Sequence, residues 1–125
     1  NDVSARDVQT AHKQWYFGKS LDGFTPIGPC IVTADAFADY PPRLGIRSFV
    51  NGEKRQDSNT ALQIFDIDHV VAELSQGMTL KAGTIIATGT PAGVGMGMDP
   101  PQFLKPGDVV RCEIEGIGTL TNPVK

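Results

Sequence analysis

Leu44-Gly45-Ile46-Arg47-Ser48-Phe49-Val50-Asn51-Gly52-Glu53-Lys54-Arg55-Gln56-Asp57 is the stretch on which the fold turns. Leu44, Ile46, Ser48 and Val50 alternate with Gly45, Arg47 and Phe49. That period of two turns one face of an extended strand toward a core. Asn51-Gly52 follows at once. Both residues tolerate the positive φ that a tight hairpin turn requires, so residues 53–57 are predicted to return as a second, antiparallel strand.

Working outward, Ile67, Val70, Val71 and Leu74 fall at i, i+3, i+4 and i+7 and predict an amphipathic helix over 67–76. Asp66 is placed to cap its start and Gly77 to end it. Lys81-Ala82-Gly83 reads as a turn into a strand over 84–88, and a Gly-rich loop runs from Gly89 to about Pro101. Lys105-Pro106-Gly107-Asp108 is another turn. It leads into 109–115, where Val110, Cys112 and Ile114 face one way and Arg111, Glu113 and Glu115 the other. Gly116-Ile117-Gly118 then tightens into a last strand over 119–124. Residues 27–33 are a further strand candidate, and 4–12 a short helix. Fourteen Gly and nine Pro in 125 residues favour turns and short strands over long helices. The expected architecture is mainly β (α+β): one domain over 1–125, a mostly antiparallel sandwich or roll with one main helix near 66–76.

Composition excludes several classes. A formal net charge of -3 offers no basic face for nucleic acid. No apolar run approaches the ~20 residues of a membrane span. Cys30 and Cys112 lie far apart in apolar runs and are read as small buried hydrophobes in a reducing cytosol. No CxxC or Cys/His pattern is present, so any metal is expected to have oxygen ligands. The chain opens on Asn1 and a dense polar segment, which reads as a cut from a longer protein. A missing signal peptide therefore excludes nothing.

That opening segment holds Asp2, Arg6, Asp7 and Gln9. Asp2 and Arg6 are i, i+4 neighbours on a helical turn, which suits a solvated ion pair as well as it suits a site. A hard cation wants several oxygen donors, and one Asp is too few. Lys19, after Gly18 and the aromatic run Trp15-Tyr16-Phe17, is either a surface lysine or a fixed charge beside a developing enolate oxygen. Spacing does not choose. The aromatic run itself reads as packing. Residues 88–95 lack the Gly-Lys-Ser/Thr ending and following helix of a nucleotide loop. They read either as a loop whose Thr90 hydroxyl and nearby amides hold one carboxylate or as a structural turn. His12 and His69 have no Ser or Cys partner for a nucleophilic triad and are not read as ligands.

Taken in order, residues 1–9 (NDVSARDVQ), 14–22 (QWYFGKSLD), 26–33 (PIGPCIVT), 50–53 (VNGE), 58–65 (SNTALQIF), 84–97 (TIIATGTPAGVGMG) and 103–108 (FLKPGD) resemble the C-terminal catalytic region of the fumarylacetoacetate hydrolase family. The resemblance runs through almost the whole chain. It implies that Asp2 is one ligand of a Mg²⁺ or Mn²⁺ ion, completed by two glutamates upstream. It also implies that Arg6 and Gln9 contact the polar end of a substrate, that Lys19 is the catalytic lysine touching a small 2-oxo acid, and that Thr90 holds a substrate carboxylate. Family chemistry proceeds through a stabilised enolate, with C–C hydrolysis, decarboxylation or keto–enol isomerisation as outcomes. The resemblance further implies a cytoplasmic homodimer, and that residues 1–125 alone bind metal poorly and are inactive. The competing expectation is a non-catalytic β domain used for dimerisation or scaffolding.

Overall fold

The hairpin at Asn51-Gly52 lies on one edge of a four-stranded sheet. In the computed structural model, which describes residues 1–11 and 13–125, strands β1 (Gly45–Val50) and β2 (Glu53–Asn59) pair antiparallel across that turn. Asn51 and Gly52 adopt φ of 51° and 84°. A second hairpin, β3 (Val109–Ile114) and β4 (Gly118–Pro123), docks its β3 edge on the other side of β1. The order is β2-β1-β3-β4, antiparallel throughout. Ile46 lies opposite Ile114, Ser48 opposite Cys112 and Val50 opposite Val110, so the apolar alternation read from sequence shares one face. On the other face the Arg111 guanidinium sits 4.1 Å over the Phe49 ring.

The β1–β2 ladder has one irregularity. Ser48 pairs with Gln56, yet its neighbour Phe49 pairs with Lys54, so Arg55 has no residue opposite it. An extra residue in one strand is a β-bulge, which bends the strand and re-aims its side chains.

The two turns at this end of the sheet are tied together. Asn51 Nδ2 donates to Asp108 Oδ1 at 2.8 Å, and Asn51 Oδ1 accepts from the Val109 N–H at 2.9 Å. At the opposite end Thr60 Oγ1 accepts from the Leu44 N–H and donates to Pro42 O, both at 2.9 Å, extending the β1–β2 ladder by one clamp.

Helix α1 (Arg6–Ala11) falls within the predicted 4–12; His12 lies outside the described residues. Helix α2 (Ile67–Ser75) starts where the sequence placed it, with Asp66 Oδ1 accepting from the His69 N–H at 2.7 Å. Ile67, Val70 and Leu74 are half-buried.

Four expectations need correction. Residues 27–33 are not a strand: Gly28 takes φ of 148°, and Pro29 has no N–H to give a ladder. Residues 84–88 are not a strand either, because the Thr84 N–H closes the Lys81 turn and no strand runs beside the segment among the described residues. Cys30 is exposed, whereas Cys112 is half-buried between β1 and β4. Trp15, Tyr16 and Phe17 are 67%, 76% and 51% exposed, so the aromatic run is largely uncovered by the described residues.

Asp108 is held below the ordinary carboxylate range, chiefly by the Asn51 hydrogen bond and then by the Lys105 N–H. A carboxyl depressed in the folded state stabilises it above the unfolded value, and that contribution fades as pH falls through the folded value. Asn51→Gly keeps the positive φ without strain and removes both side-chain bonds. It is expected to lower the melting temperature by about 4 °C at pH 7. Scanning calorimetry across pH should show the gap to wild type narrowing below about pH 4; a gap indifferent to pH would show that Asp108 is not the partner that matters.

Candidate active-site residues

A close backbone approach near the N-terminus assembles most of the polar residues singled out above. The Ala5 N–H donates to Gly18 O at 2.8 Å, laying the 3-10 turn Phe17–Lys19 against α1. A Cβ on Gly18 would stand 2.8 Å from Gln9 Cβ and 2.9 Å from Ala5 O, so only glycine permits this approach. The turn then carries Lys19 back to the start of the chain. Its Nζ donates to Asp2 Oδ2 at 2.7 Å and to Ser4 Oγ at 2.9 Å. Within α1, Arg6 Nη1 donates to Gln9 Oε1 at 2.8 Å, and Gln9 is only 3% exposed.

Lys19 and Asp2 therefore form one hydrogen-bonded group and Arg6 with Gln9 a second, both held by α1 and the turn at Gly18. Ser4 belongs with the first, although nothing in its sequence position marked it out. Asp7, named in the same breath as Asp2, is exposed and takes no part. Two of the three Lys19 ammonium hydrogens are spent on Asp2 and Ser4, which leaves one for a ligand.

Thr90 is placed differently. No hydrogen bond joins it to the Lys19 cluster among the described residues. Its Oγ1 instead accepts from Gln56 Nε2 at 2.8 Å, and the same nitrogen donates to Pro91 O at 2.8 Å. Gln56 Oε1 in turn accepts from Ser48 Oγ at 2.8 Å. Sequence reading missed Gln56. Its only signal was its position in the returning strand, which says nothing about a partner 34 residues away.

The Gly-rich loop lies directly on β2. A Cβ on Gly93 would stand 2.0 Å from Arg55 O, and Gly93 has φ of 107°. Beyond it comes the 3-10 turn Gly95–Gly97, and among the described residues no α-helix follows the loop. His69 stacks on Phe65 with ring centroids 4.8 Å apart. Burial pushes the Cys112 thiol up, away from a reactive thiolate.

For a divalent ion the cluster offers one carboxylate. Lys19 occupies Asp2 Oδ2 and leaves Oδ1 for another partner. Among the described residues no group of three or more His, Cys, Asp or Glu is placed to hold a metal. Asp2 thus fits as one oxygen ligand of a hard cation, and the described residues do not complete the shell. No described helix is long and apolar enough to cross a membrane.

Comparison with known proteins covers the whole chain. Residues 1–125 match the family described as fumarylacetoacetate (FAA) hydrolase C-terminal. The chain is 49% identical over 124 residues to oxaloacetate tautomerase YisK of Bacillus subtilis (strain 168), covering 99% of this chain and 41% of that protein. It is 51% identical over 125 residues to the mitochondrial oxaloacetate tautomerase Fahd2a of Rattus norvegicus, covering 99% of this chain and 40% of that protein. Among solved structures, a fumarylacetoacetate hydrolase from psychrophilic Exiguobacterium antarcticum superposes with a TM-score of 0.94 at 56% identity, covering 100% of this chain and 44% of that one. A 2-hydroxyhepta-2,4-diene-1,7-dioate isomerase from Mycobacterium marinum gives 0.85 at 48% identity, covering 99% and 45%. The chain spans about two-fifths of the length of the curated relatives it matches.

Gly18→Ala tests the approach that brings Lys19 to Asp2. The added methyl meets two backbone atoms that cannot yield cheaply, so a loss of about 1–3 kcal/mol is expected in denaturant unfolding. A crystal structure of the variant should show Lys19 withdrawn from Asp2. An intact ion pair at wild-type stability would contradict this account.

Proposed function

The chain belongs to the fumarylacetoacetate hydrolase family, and from that membership we propose that it forms the C-terminal part of an enzyme acting on small 2-oxo acids through an enolate. Two of the relatives above are named oxaloacetate tautomerases and a third an isomerase, while the solved structure at 56% identity is named a hydrolase; we take keto–enol isomerisation, the activity of both curated names, as the reading to test first. The carrying observation is the Lys19 ammonium, set between Asp2 and Ser4 with one N–H unspent.

The roles follow from what each group can donate. Enolisation moves a proton off the carbon beside the ketone and leaves negative charge on the keto oxygen. Lys19, already oriented, donates its remaining N–H to that oxygen as the charge develops, and it does so without reorganising at the moment of reaction. Arg6 is held by Gln9 through Nη1, and its remaining guanidinium N–H groups would take a carboxylate. Gln9 spends its carbonyl on Arg6 and keeps its amide hydrogens for the ligand. Thr90 takes the substrate's far carboxylate. When bound, Mg²⁺ or Mn²⁺ supplies Lewis-acid polarisation of the ketone, with Asp2 as one ligand. The base that accepts the carbon proton, and the other metal ligands, we assign to the part of the longer relatives that these residues do not span. On this reading residues 1–125 alone are inactive.

A homodimer accords with the amount of apolar surface the chain leaves open. Ile31 is 85% and Ile64 93% exposed, and a second copy or the remainder of the longer polypeptide would cover them. Light scattering on the longest polypeptide carrying these residues should return twice the chain mass; a monomer would remove this part of the reading.

The activity is tested on that same polypeptide with added Mg²⁺ or Mn²⁺, following decay of the ultraviolet absorbance of enol-oxaloacetate. Lys19→Met is expected to lower kcat by about 10²- to 10³-fold, the usual cost of removing one oxyanion donor. Turnover undiminished in Lys19→Met would overturn the role given to this lysine.

A further inference from the structure

We infer that Gln56 is a positioning residue for Thr90, fixing the direction of its hydroxyl proton so that Thr90 donates to a substrate carboxylate. The inference rests on the proposed function and adds to it a residue that touches no substrate.

A threonine hydroxyl has one proton and two lone pairs, and it rotates to suit its neighbours. Left alone on an exposed loop, Thr90 would spend much of its time as an acceptor toward water or as a donor to a nearby carbonyl. Gln56 narrows that freedom. Its Nε2 lies 2.8 Å from Thr90 Oγ1 and 2.8 Å from Pro91 O. A carbonyl oxygen only accepts, so the NH₂ end of the amide must face the loop. The other end confirms the assignment, since Gln56 Oε1 lies 2.8 Å from Ser48 Oγ, which can donate. With the amide oriented, one of its hydrogens goes to Pro91 O and the other to Thr90 Oγ1. Thr90 therefore accepts from Gln56, and its own proton must point elsewhere. Thr90 is exposed, so that proton faces whatever occupies the loop mouth. A carboxylate there gains a charge-assisted hydrogen bond from a hydroxyl whose choice of directions is already narrowed.

Strand geometry explains why β2 supplies this residue. In a regular strand Arg55 and Gln56 would project to opposite faces, and one of them would miss the loop. The bulge at Arg55 breaks the alternation. Both neighbours then meet the Gly-rich segment: Gln56 at Thr90 and Pro91, Arg55 at Met98 and Gln102 through Nη1, with its carbonyl under Gly93.

Gln56→Glu is nearly isosteric and inverts the donor. Its carboxylate cannot give a hydrogen to Thr90 Oγ1 or Pro91 O, so it claims the Thr90 proton for itself. When protonated, the new side chain donates again. In the longest polypeptide carrying these residues, Gln56→Glu is expected to raise KM for oxaloacetate about tenfold at pH 8 while kcat changes by about twofold or less, and the defect should shrink as pH falls toward 5. Inhibition by oxalate, which has no carboxylate beyond its chelating pair, should keep its wild-type constant. Thr90→Val should raise KM by a similar factor, and the double variant should be no worse than the worse single one. Gln56→Ala, which lacks the inverted charge, should raise KM by about threefold without a pH response. An unchanged KM in Gln56→Glu and Gln56→Ala, a parallel rise in the oxalate constant, or additive effects in the double variant would each overturn the inference while leaving the enzyme reading intact. Wild-type protein that neither turns over oxaloacetate nor binds oxalate would sink both.

Discussion

Strand β1 is bonded along both edges, and the rest of the described sheet hangs from that fact. Its six residues carry β2 on one side and β3 on the other. Among the described residues Val110 is the buried hydrophobic side chain, and it lies on β3 directly opposite Val50 of β1. The backbone ladders and a few polar clamps, such as Asn51 on Asp108 and Thr60 on Leu44, set the sheet's register. Hydrogen bonds are directional where apolar contacts are not, so such a sheet is well specified in register even where it is thinly covered.

The two groups of polar residues depend on this frame in different ways. The Lys19 cluster is local, folded by α1 and one glycine contact within the first 19 residues. Its parts are cheap to bring together, and a bare side chain at Gly18 would part them. Thr90 depends on the sheet itself, because Gln56 reaches it from β2 and is braced by Ser48 on β1. Loss of sheet order would release Thr90 while leaving Lys19 beside Asp2.

How much was legible in the sequence follows the same division. The Asn51-Gly52 hairpin, the Asp66 cap of α2 and the alternation in β3 are set by residues within a few positions of one another, and the structure agrees with all three. Strands foreseen over 27–33 and 84–88 failed because a strand needs a neighbour, and no local pattern shows whether one will be present. The exposure of Cys30 and Trp15 escaped notice for a related reason: apolar character states a preference for cover without supplying it. Of the site residues, Asp2, Arg6, Gln9 and Lys19 were undecided by spacing and were singled out by family resemblance. The glycine contact that draws them together, and the Gln56–Thr90 bond, are tertiary facts that spacing does not encode.

The bulge at Arg55 has one more consequence. It makes the count of residues between Asn51 and Asn59 matter independently of their identity. Removing a single position there would give β2 a smoother ladder to β1, and by the measure of strand pairing a better sheet. With Arg55 the position removed, Gln56 would stay opposite Ser48, but the Arg55 bonds to Met98 and Gln102 and the close approach of its carbonyl to Gly93 would go, leaving the glycine-rich segment with one tie to β2 in place of two. Length, in this short stretch, is itself a heritable specification, and shortening it trades recognition for regularity.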